Sequence, residues 1–100
     1  MTREEAQRRL AENRARIDAI DQKLVDLLNE RTRVVETIGQ AKEAAGLPVY
    51  EPKREDDVYR NVLAHNQGPL TPDALRRIFE RVIDEMRSLQ KMRRVTKGDS

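Results

Sequence analysis

Apolar positions recur with a helical period over the first 45 residues. Leu10, Ile17, Leu24, Leu28, Val35 and Ile38 follow steps of three, four and seven, the stripe of an amphipathic helix. No proline interrupts the run, and most of its residues favour the helix. The pattern predicts one helix over about 3–45. Gly46 suits a left-handed C-terminal cap, and Pro48 acts as a stop two residues later. A second helix is predicted over about 51–66, with Pro52 at its first position and a stripe of Glu55, Val58, Tyr59 and Val62. Gly68-Pro69 ends it. A third is predicted over about 71–94, opened by Thr71-Pro72-Asp73 as cap and first turn. Its stripe is Leu75, Ile78, Phe79, Val82, Ile83, Met86 and Leu89, with Gln90 on the same face. Residues 95–100 read as a frayed tail.

The expected fold is therefore all-α, one long helix and two shorter ones in a single domain over 1–100. Length changes the picture. About 40 residues at a rise of about 1.5 Å give roughly 60 Å. A compact chain of this size has a radius of gyration of only about 13 Å. The long helix has to project, and its apolar stripe needs cover. A second copy of the chain supplies it most simply, giving an intertwined homodimeric helical bundle. Composition agrees, since 37% hydrophobic residues against 38% charged ones make a lean core.

Twenty Lys and Arg against 18 Asp and Glu are mixed along the whole chain. No dense one-sided basic patch marks a nucleic-acid surface. The chain has no Cys, and His65 is its one His, so neither a disulfide nor a metal centre is expected. No apolar run approaches the roughly 20 residues of a membrane span. The charged start from Thr2 to Arg9 does not resemble a signal peptide, and a cytoplasmic location is expected.

The informative residues are polar ones on faces that should be buried. The first stripe, continued, passes through Arg14, Asp21, Arg31 and Lys42. A structural ion pair accounts for Asp21. Glu55 lies on the second stripe, with Arg54 at its edge, and Gln90 on the third. Any one could be a register device or a snorkelling boundary residue. Together the cations and the amide fit a small ligand with two or more anionic groups and an uncharged polar atom. Arg14 and Lys42 stand 28 positions apart, roughly 42 Å along a helix. If both serve one small site, Arg14 has to come from the partner protomer.

The run Arg14-x-x-Ile17-x-x-Ile20-Asp21-x-x-Leu24-x-x-Leu28-x-x-Arg31 resembles the opening of the all-helical, type II chorismate mutases. So do Ile38-Gly39-x-x-Lys42, the segment from Pro48 to Glu55, and the late stretch from Ile78 to Gln90. The resemblance implies roles. Arg14 from the partner chain and Arg31 would grip the two carboxylates of chorismate. Lys42 and Gln90 would bond the ether oxygen of the breaking bond. Glu55 would hold the ring hydroxyl with help from the backbone at Glu51, and Arg54 would add positive potential. Ile38, Val58 and Ile83 would form apolar walls. Two positions depart from the family pattern: Glu51 stands where Asp is common, and Met86 where a small hydroxyl residue is often found. The implied reaction, chorismate to prephenate, is a unimolecular [3,3] rearrangement that needs no cofactor. Two other readings are open: an isochorismate pyruvate lyase on the same fold, and a non-catalytic helical dimerisation or regulatory domain.

Overall fold

The computed structural model describes residues 1–98, which form three helices: α1 (Arg3–Ala44), α2 (Pro52–His65) and α3 (Pro72–Gly98). Among the described residues there is no strand, and no helix is long and apolar enough to cross a membrane. The chain divides into two compact units, Met1–Val34 and a second from Val35 onwards, with α1 contributing to both.

Local chemistry sets the helix ends. At the start of α1 the Thr2 hydroxyl accepts from the Glu5 backbone N–H (3.1 Å), and the Glu5 carboxylate accepts from the Thr2 N–H (3.4 Å). This reciprocal capping box satisfies donors that the first helical turn leaves open. Its signature, Thr-x-x-Glu, is legible in the chain but plays no part in the prediction of the first helix. At the other end Gly46 adopts φ +70°. Its N–H donates to the Glu43 carbonyl (3.1 Å), and the Leu47 N–H donates to the Lys42 carbonyl (2.7 Å). That pairing is a Schellman cap, and only glycine takes the left-handed position without strain. At α3 the Thr71 hydroxyl accepts from the Ala74 N–H (3.2 Å), the expected N-cap.

The final helix departs from expectation. It continues four residues beyond Arg94 to Gly98, where fraying from residue 95 was expected. No proline breaks the segment. Arg93 bonds Glu36 (2.9 Å) and Arg94 bonds the Leu47 carbonyl (2.7 Å), so tertiary contacts tie down the end of the helix. Asp99 and Ser100, the last of the expected tail, lie outside the described residues.

In the second unit α2 packs on α3. Among the described residues the buried ones are Ile83, Met86 and Gln90, one face of α3 at three- and four-residue steps. Arg76 stacks 4.4 Å from the centre of the Tyr59 ring. Desolvation pushes the Tyr59 phenol above its ordinary range, and the carboxylates of Glu80 and Glu55 push it the same way. The first unit contrasts with this. No residue of α1 is buried, and Leu24, in the middle of its stripe, is 51% exposed.

Candidate active site

Lys42 occupies the last turn of α1, where its own carbonyl closes the Schellman cap. Its side chain is 12% exposed. The ammonium donates to the Val49 carbonyl (3.0 Å) and pairs with Glu51 Oε1 (2.5 Å). Both partners belong to the linker that the cap redirects. Glu51 sits at the N-cap of α2 but makes no side-chain cap bond there, since its carboxylate is turned to Lys42. An ammonium has three donors. Two are committed here, to Val49 and Glu51.

Gln90 shows the same economy. It is 8% exposed, and its Nε2 donates to the Val35 carbonyl (3.1 Å). Its side chain packs against Gly39. A Cβ built at Gly39 falls 3.4 Å from Gln90 Cγ and 3.5 Å from Nε2. Gly39 is about one helical turn before Lys42 on α1, so Gln90 packs on the turn that precedes Lys42. Its amide nitrogen carries two hydrogens and one is held by Val35. An anchored donor with a hydrogen to spare is suited to charge that develops on an oxygen during reaction.

Glu55 faces α3, where Oε1 accepts from Arg87 Nη2 (2.7 Å). Met86 is buried beside Ile83 in the core of the unit. Arg54 is exposed on α2. In the first unit Arg14 is exposed, whereas Arg31 is half-buried and engaged with neighbouring groups. Asp21 is exposed and makes no ion pair among the described residues, so the pair expected for it does not form within one chain. The second unit thus brings together Lys42 with Glu51, and Gln90 with the α1 turn before Lys42. Arg14 and Arg31 stand on the other unit.

Sequence reasoning missed Arg87 and Arg94. Arg87 is four positions after Ile83 and three before Gln90, so it borders the buried face of α3. That spacing was the available signal. Arg94 gave none, because its partner is a backbone carbonyl 47 positions away.

Residues 13–91 match the model of the family described as chorismate mutase type II. The chain belongs to that family. The bifunctional chorismate mutase/prephenate dehydratase of Aquifex aeolicus (strain VF5) is 36% identical over 86 residues, covering 82% of this chain. The chain spans about a quarter (24%) of that relative's length. Chorismate mutase (Form II) from Thermus thermophilus superposes with a TM-score of 0.81 at 31% identity, covering 83% of this chain and 94% of that one. The chorismate mutase from Helicobacter pylori in complex with prephenate gives a TM-score of 0.76 at 30% identity, covering 82% and 89%. The type II fold therefore extends over most of this chain, and Lys42, Gln90, Glu51 and Glu55 all fall within the matched residues.

Proposed function

We propose that the chain is a chorismate mutase, converting chorismate to prephenate in the biosynthesis of phenylalanine and tyrosine, and that it acts as a single helical domain paired with a second copy. Family membership supports the reading, as does the Helicobacter pylori relative, whose structure is a complex with prephenate. The observation that carries it is the pair of anchored donors. Lys42 and Gln90 each donate to fixed protein acceptors.

The chemistry fits those donors. In the rearrangement the ether C–O bond breaks while a C–C bond forms, and negative charge grows on the ether oxygen. The Lys42 ammonium and the Gln90 amide stabilise that charge without having to reorganise. Holding both carboxylates selects the compact chair-like conformer, an orientation effect. Arg31 and the partner subunit's Arg14 take that task, their planar forks matching carboxylates. Arg54 adds positive potential, Glu55 and the Glu51 backbone hold the ring hydroxyl, and Met86 closes the pocket in place of a hydroxyl donor. The exposed stripe Leu10, Ile17, Leu24 and Leu28 is the surface that the second copy covers. No membrane-spanning helix is needed, and we place the activity in the cytoplasm.

Purified protein added to chorismate should remove its diene absorbance and yield prephenate on chromatography. Salicylate plus pyruvate would assign the chain to isochorismate-lyase chemistry instead. No turnover by a folded dimer would favour a non-catalytic helical module.

A further inference from the structure

Arg87 has no part in the roles assigned so far, yet it is held on three sides. Its Nη2 donates to Glu55 Oε1 across the α2–α3 contact at 2.7 Å. The same nitrogen reaches Asp84 Oδ1, one turn back on α3, at 3.4 Å. Its guanidinium lies 4.8 Å from the centre of the Tyr50 ring. The Arg87 side chain is 27% exposed and that of Glu55 is 20% exposed. Its Nε is buried with no hydrogen-bond partner.

An ion pair at this depth is a poor source of stability, because desolvation offsets much of the attraction. It is a good way to fix a carboxylate. The bond engages Oε1 of Glu55 alone, and Oε2 remains to accept from a hydroxyl. Tyr50 adds a second link, since it precedes Glu51, the residue that pairs with Lys42. Arg87 therefore ties the Glu55 carboxylate to the linker that holds the reacting ammonium.

We propose that Arg87 is the positioning residue for recognition of the substrate's ring hydroxyl, acting through Glu55 and the Tyr50 linker. This rests on the chorismate reading above. The charged Nη2 donor and the flat guanidinium face are both needed. Lysine would keep the charge and lose the stack on Tyr50.

The test compares two substrates, chorismate and an analogue that lacks the ring hydroxyl. Arg87→Gln should lose at least about tenfold in kcat/KM on chorismate, the scale of one charged hydrogen bond. On the analogue it should lose less than about threefold. Arg87→Lys should fall between, with native helical circular dichroism, and repeats the comparison if the Gln variant folds poorly. Adding Arg87→Gln to Glu55→Gln should cost little beyond Glu55→Gln alone, since both act on one contact. Equal losses on the two substrates, or no loss on either, overturn the role of Arg87 while the mutase reading stands. A wild-type chain inert towards chorismate overturns both.

Discussion

The two units of this chain carry the same sequence device and put it to different use. In α3, Ile83, Met86 and Gln90 follow a helical stripe and are buried within the protomer. In the first 34 residues, Leu10, Ile17, Leu24 and Leu28 follow an equally regular stripe and all stand exposed. A stripe states that a face wants cover, not where the cover comes from. In the second unit α2 and the end of α1 provide it. In the first unit the stripe stands exposed, which is why a second copy enters the proposal. The polar residues divide likewise. Lys42, Gln90 and Glu55 have found partners inside the protomer, whereas Arg14 is left exposed.

The largest effect should come from the second unit. Lys42→Ala removes an anchored donor worth about 3–4 kcal/mol by analogy with oxyanion holes. Turnover should drop at least about a hundredfold while sedimentation still reports a dimer. Near-normal turnover would mean that the anchored ammonium is structural only. Next is the exposed stripe. Leu24→Glu places an unpaired charge in each half of the proposed interface, at a cost of several kcal/mol per dimer. The protein should sediment as a monomer at micromolar concentration with reduced helicity. A variant that stays dimeric shows that this stripe is not the contact.

A third experiment joins the two units. Inactive Arg14→Ala and Lys42→Ala chains, mixed and allowed to exchange, should recover about a quarter of wild-type activity. Half the dimers are then mixed, and one of their two sites keeps both residues. No recovery after proven exchange rules out a site shared between protomers. The smallest effect is local. Gly39→Val adds two methyl groups beyond a Cβ that would already touch Gln90 at 3.4 Å, and should cost about 1–2 kcal/mol of stability by overpacking. A fall of about tenfold in kcat, with KM little changed, would show that Gln90 acts on the transition state rather than on binding. Unchanged kcat would mean that the close fit of Gly39 and Gln90 has no part in the chemistry.

Much of the fold was legible because its signals are local. Apolar period, Pro52 and Pro72 at first positions, Thr71 as a cap and Gly46 as a left-handed terminator each act within a few residues. The far end of α3 was misjudged because it is held by Glu36 and the Leu47 carbonyl, neither near it in sequence. In the candidate site, Lys42, Gln90 and Glu55 could be picked out as polar residues on apolar faces. Their partners could not. That Glu51 turns to Lys42 instead of capping α2, and that Arg87 reaches Glu55 from 32 positions away, are facts of packing.

The sequence by itself determined three helices, their faces and the unusual polar residues upon them, because helical period and capping depend on neighbours within one or two turns. Only the tertiary structure decided which donors are already spoken for and which keep a hydrogen to give. Hydrogen bonds are settled by distances of about 3 Å between atoms far apart in the chain, and no local pattern encodes those distances.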